Sequence, residues 1–208
     1  MPKDGLIFVV GLGNSNITPD ALGPKTINLV LPTHHITGEI SRSTGLNKLR
    51  QVAAIAPGVL GQTGIEVNEI VFSIAKKIKP SAIILIDALA AKETSRLAKT
   101  IQISNTGISP GSGVGNSRQP INKKLAGIPV ISIGVPTVMD ASTLAYNIFS
   151  NYNIKNSLIE RNINNESLIV TPREIDLLIE RASKLIAMSI NCALHENFSF
   201  DDLIELTS

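Results

Sequence analysis

Along the chain, unbroken apolar runs alternate with stretches whose apolar residues recur every three or four positions. Leu6–Val10 is such a run and closes on Gly11-Leu12-Gly13, as expected of a strand buried on both faces that stops at a tight turn. Thr18-Pro19 then supplies a helix N-cap with proline at the first helical position, and Leu22, Ile27, Val30 and Leu31 follow as its apolar positions. Val52–Ala56, closed by Pro57-Gly58, predicts a second strand. Ile65, Ile70, Ile74 and Ile78 predict a helix running to Pro80. Ala82–Ile86 is the clearest buried strand and ends at Asp87. Thr100–Ser104 alternates polar and apolar residues, as an edge strand does. Ile128–Val135 predicts a further strand and Met139–Ser150 a helix. After an Asn-rich stretch, Asn151–Ser167, read as a surface loop, Thr171-Pro172-Arg173-Glu174 has the form of a capping box. It opens a helix with the stripe Ile175, Leu178, Ile179, Ala182, Leu185 and Ile186.

This alternation predicts an α/β fold with a mostly parallel sheet covered by helices on both faces, in one domain over residues 1–208. Composition narrows the function classes. The chain is 43% hydrophobic and 17% charged, which excludes disorder and coiled coils. Aromatics are only 3%, with no Trp, so a stacking platform for nucleic acid is not expected. Net charge is +2 with basic residues scattered, which is no polyanion footprint. No run approaches the roughly 18–20 apolar residues of a membrane span, and the single Cys192 cannot close an intramolecular disulfide. A soluble protein of a reducing cytoplasm is expected.

Parallel sheets bind ligands beyond the carboxyl ends of their strands. The residues there are Gly11, Gly13, Asn14 and Asp20 after the first strand, Glu66 after the second, Asp87 after the third, and Thr137 and Asp140 after a later one. Asp87 follows five apolar residues, so desolvation should raise its pKa. Asp20 is placed in the first turn of its helix, where the dipole should favour its charge. Carboxylates tuned apart suit a general base and a general acid; a helix start and a capped turn are the structural alternatives. Gly11-Leu12-Gly13-Asn14-Ser15-Asn16 lacks the third glycine of a dinucleotide turn. Gly111–Gly115 lacks the Lys-Ser/Thr of a phosphate loop. His34, His35 and His195 complete neither a triad nor a zinc set; His195 should end the last helix, its charge complementing the dipole. Cys192 reads as a packing residue.

Longer stretches carry a family likeness. Gly11–Asn14, Asn16–Pro24 (NITPDALGP), Ala54–Val59 (AIAPGV), Gly61–Glu66 (GQTGIE), Ile86–Ala91 (IDALAA), Thr100–Gly107 (TIQISNTG), Ser109–Asn116 (SPGSGVGN), Gly127–Asp140 (GIPVISIGVPTVMD) and Val170–Ile175 (VTPREI) resemble the spore germination protease family, in order and over nearly the whole chain. The resemblance implies an endopeptidase that begins degrading the small acid-soluble, DNA-protecting proteins of spores during germination, in the cytoplasm of the spore core. It also implies a fold like that of hydrogenase maturation proteases, a homotetramer, and an atypical aspartic-type mechanism with Asp20 and Asp87 as the catalytic pair.

In the reading adopted here, Asp20 and Asp87 hold a water between them, the Gly11–Asn14 amides bind the oxyanion, and Glu66, Thr137 and Asp140 line the same pocket. No cofactor or metal is expected. The hydrogenase-maturation type of site would need a histidine as third ligand, and none occurs between His35 and His195. Family members carry a removable propeptide and further sequence before the first strand, and this chain is expected to lack both. Two alternatives remain open: a catalytically silent binding or regulatory paralogue, and a metal-assisted peptidase.

Overall fold

The computed structural model describes residues 2–36, 49–111, 118–150 and 168–207. The Asn-rich stretch Asn151–Ser167 and most of the glycine-rich segment fall outside the described residues.

Strand β1 (Ile7–Gly11) pairs in parallel with β2 (Val52–Ile55) on one side and with β3 (Ala82–Ala90) on the other. Beyond β3 lies β5 (Val130–Asp140), also parallel, and then β4 (Gln102–Ser104), antiparallel at the edge, giving the order β2-β1-β3-β5-β4. A two-residue strand, β6 (Ile169–Val170), pairs antiparallel with the end of β5. This is the α/β, mostly parallel arrangement that the apolar runs predict.

The period-two alternation of β1 and β3 sorts their side chains between two cores. Ile7, Val9, Ile84 and Ile86 pack with helix α1 (Leu22–Ile27) and with Ile179, Ile186 and Ile190 of α6 (Ile175–Leu194). Phe8, Val10, Ile83 and Leu85 pack on the other face with Val71 of α3 (Val67–Ile78). Short helices α2 (Leu60–Thr63) and α4 (Lys123–Ala126) sit in connections, α5 (Ala141–Ser150) follows β5, and α7 (Phe200–Thr207) ends the chain. No helix among the described residues is long and apolar enough to cross a membrane.

Several boundaries differ from those predicted. Thr18–Asp20 is a 3-10 turn whose start has no side-chain cap, and α1 begins only at Leu22. The helix predicted from Ile65 is preceded by α2, which Gly64 ends in a left-handed conformation, φ 70°. Strand β5 runs five residues past Val135, because its pairing with β3 continues through a bulge at Thr137 to Val138 and β6 then pairs with Met139 and Asp140. Thr171 does not cap α6: its hydroxyl donates to the Thr137 carbonyl at 2.8 Å, and the helix starts at Ile175. His195 ends α6 but is buried, both ring nitrogens lacking a hydrogen-bond partner. Burial lowers its pKa, the Leu31 backbone opposing and the Arg50 charge adding to the shift, so no helix-capping charge is favoured. Cys192 is a half-buried free thiol on α6.

Candidate active site

Backbone crowding fixes where Asp20 sits. A Cβ on Gly11 would lie 2.3 Å from the Gly23 carbonyl oxygen, and one on Gly23 would lie 2.2 Å from the Leu12 carbonyl oxygen. Only glycines let the end of β1 and the start of α1 touch backbone to backbone. Gly13, at φ 115°, turns the chain between them, with the Asp20 carbonyl where its side chain would be. The intervening loop folds back so that the Asn14 amide donates to Asp20 Oδ2 at 2.8 Å. The Asn14 side chain is held in turn, its Oδ1 accepting from the Asn16 amide at 3.0 Å and from Gln62 Nε2 at 2.7 Å.

Asp87 continues the buried run of β3 and is 7% exposed. Its Oδ1 accepts its neighbour's amide, Ala88 N–H, at 3.0 Å. Burial pushes its pKa up to about 7, the charge of Asp20 adds to the rise, and the Ala88 amide opposes it. The two aspartates therefore sense each other. The expected lowering at Asp20 is not found: burial raises its pKa and outweighs the Asn14 amide. The reason is geometric, since Asp20 lies in a three-residue 3-10 turn ahead of α1 and not in the first turn of a helix with an appreciable dipole.

The other predicted site residues divide. Glu66 stands at the N-cap position of α3 but offers no side-chain cap; its Oε1 accepts from Arg118 Nη1 at 2.8 Å. Asp140 is a helix cap: its Oδ1 accepts the amides of Ser142, at 2.8 Å, and Thr143, at 3.2 Å, and the Ser142 hydroxyl. These bonds hold its pKa below the usual carboxylate range. Neither Glu66 nor Asp140 contributes to the pKa shift of Asp20 or Asp87. Thr137 is buried, and its hydroxyl has no partner. Of the amides expected to bind an oxyanion, Leu12 N–H already donates to the Ile86 carbonyl at 2.8 Å and Asn14 N–H to Asp20, so two of that set are occupied.

Arg118 and Gln119, whose side-chain amide oxygen accepts from Asn68 Nδ2 at 3.1 Å, are the polar residues that the motifs missed. Their signal was position alone, directly after the glycine-rich segment. Among the described residues no group of three or more His, Cys, Asp and Glu could hold a metal ion.

A mostly parallel α/β sheet that ends in two interacting, partly desolvated carboxylates defines a carboxylate-centred site. A germination protease family model matches residues 1–157, and the chain belongs to that family. The germination protease of Clostridium perfringens is 46% identical over 98% of this chain and 70% of its own length, and that of Caldanaerobacter subterraneus subsp. tengcongensis 43% identical over 99% and 71%. The Oceanobacillus iheyensis germination protease is 54% identical over 68% of this chain and 38% of its own length. Among solved structures, the [NiFe] hydrogenase maturation protease HycI from Thermococcus kodakarensis KOD1 aligns with 92% of both chains at 17% identity, with a TM-score of 0.49.

Proposed function

We propose that the protein is an endopeptidase that starts the degradation of small acid-soluble spore proteins during germination, by an atypical aspartic-type mechanism. The observation that carries this reading is the Asp20–Asp87 pair. Burial raises the pKa of both aspartates, but at Asp20 the Asn14 amide offsets part of the rise, whereas burial and the Asp20 charge keep a proton on Asp87 to about pH 7. Asp20 is accordingly the general base and Asp87 the general acid. Asp20 takes a proton from the water as its oxygen bonds to the scissile carbonyl carbon. Asp87 gives its proton to the amide nitrogen as the C–N bond breaks. Transfer of the proton from Asp20 to Asp87 restores the pair. In this reading the enzyme needs no cofactor, acts in the cytoplasm of the spore core and works as a homo-oligomer, a tetramer by family resemblance.

Incubation with a purified small acid-soluble spore protein should give discrete fragments. Asp20→Asn and Asp87→Asn should each lower kcat by about 10²-fold or more, and kcat/KM should fall on the alkaline side with a midpoint near the Asp87 value of about 7. Full cleavage by either variant would remove that residue from catalysis. A rate still climbing at pH 9 would remove Asp87 as the acid. No cleavage by the folded wild-type chain at high concentration would leave the silent binding paralogue.

A further inference from the structure

Resting on that reading, we propose that Thr137 is the oxyanion donor: its hydroxyl hydrogen-bonds the oxygen of the scissile carbonyl as that oxygen gains negative charge.

A preorganised donor aimed at this oxygen lowers the barrier to peptide hydrolysis. Two of the amides in the Gly11–Asn14 turn are already committed, Leu12 N–H to the Ile86 carbonyl and Asn14 N–H to Asp20 itself. A buried hydroxyl with no partner costs about 1–3 kcal/mol, so proteins rarely leave one. Among the described residues, the buried side-chain polar atoms left without a partner belong to two residues, Thr137 and His195. His195 ends α6 beside the Leu31 backbone and Arg50, and Arg50 binds the Gly5 carbonyl ahead of β1, at the opposite edge of the sheet. Thr137 lies on the carboxyl-terminal half of β5, the strand next to that of Asp87.

Its placement is built. Leu89 pairs with Pro136 and Ala90 with Val138, so Thr137 is the extra residue of a bulge, a device that re-aims one side chain out of the pleat. Its carbonyl is pinned by the Thr171 hydroxyl at 2.8 Å, which fixes the backbone and leaves the side-chain hydroxyl unused. The turn carrying Asp20 packs against both β3 and β5. An unsatisfied donor on the strand next to that of Asp87 finds its partner when the substrate carbonyl arrives.

Thr137→Val preserves the shape and removes the donor; Thr137→Ser preserves the donor. With the small acid-soluble spore protein as substrate, Thr137→Val should fold with a thermal midpoint no lower than wild type and lose about 10²-fold in kcat with little change in KM. Thr137→Ser should stay within about threefold of wild type. Wild-type kcat in Thr137→Val would overturn the inference. A lowered midpoint in Thr137→Val together with equal loss of activity in Thr137→Ser would overturn it too, placing the residue in packing. Wild-type activity in Thr137→Val alongside inactive Asp20→Asn and Asp87→Asn would remove Thr137 alone and leave the aspartic reading standing. A folded wild-type chain that cleaves nothing would end both.

Discussion

Asp87 keeps its proton because ionising inside the sheet is unfavourable, and the same imbalance acts on stability. An unfolded chain ionises this group from pH 3.8 upward, whereas the folded protein resists until about 7. Between those values the unfolded state binds fewer protons, so the contribution of this group to stability is full below 3.8, is lost as pH rises and levels off above 7. Asparagine resembles the protonated acid and carries no such penalty. The thermal midpoint of Asp87→Asn should therefore match that of wild type near pH 4 and exceed it by roughly 3–10 °C at pH 8. A difference that does not change with pH would show that Asp87 ionises normally in the fold. The desolvation behind this was legible in the sequence, because five apolar residues precede Asp87. The rise at Asp20 was not, because it depends on a tertiary approach that no local pattern records.

At the scale of elements, side-chain caps form where the partner is local. Asn122 accepts the Leu125 amide at 3.0 Å and starts α4 as a cap should. Ser199 and Asp202 exchange backbone and side-chain bonds at the start of α7, a helix that buries Leu203. Thr18 and Thr171, each followed by proline, carry equally good cap signatures and cap nothing; Thr171 spends its hydroxyl on β5 instead. Long-range geometry also decides the glycines. Gly11→Ala must push β1 and α1 apart, since the new methyl would sit 2.3 Å from the Gly23 oxygen. It should cost about 1–3 kcal/mol and displace Asp20, lowering kcat as well as the midpoint. Gly61→Ala, with nothing within 4 Å of the new methyl, is the control and should be neutral. Equal midpoints for the two variants would refute the close-approach account.

Across the whole molecule the parallel sheet gives its two edges different work. Its carboxyl-terminal side carries Asp20 and Asp87, both desolvated, and Thr137, whose hydroxyl has no partner among the described residues; these are the groups to which the proposed mechanism assigns the chemistry. Its amino edge holds fastenings. The Arg50 guanidinium donates to the carbonyls of Pro2 at 2.8 Å, Gly5 at 3.1 Å and Asp4 at 3.2 Å, and the Ser81 hydroxyl donates to the Asp4 and Leu6 carbonyls, tying the chain entering β1 to the starts of β2 and β3. Substitutions at the two edges should therefore have opposite signatures. Asp87→Asn and Thr137→Val should be inactive at undiminished stability. Arg50→Ala should lose about 1–2 kcal/mol, a fall of roughly 2–8 °C in thermal midpoint, while kcat measured well below that midpoint stays at the wild-type value. The sequence motifs, clustered on the carboxyl edge, give no hint of the Arg50 clamp, because its acceptors are main-chain carbonyls that any residue provides. If Arg50→Ala lowers kcat with its midpoint intact, the amino edge communicates with the carboxylate pair and the division of labour between the edges fails.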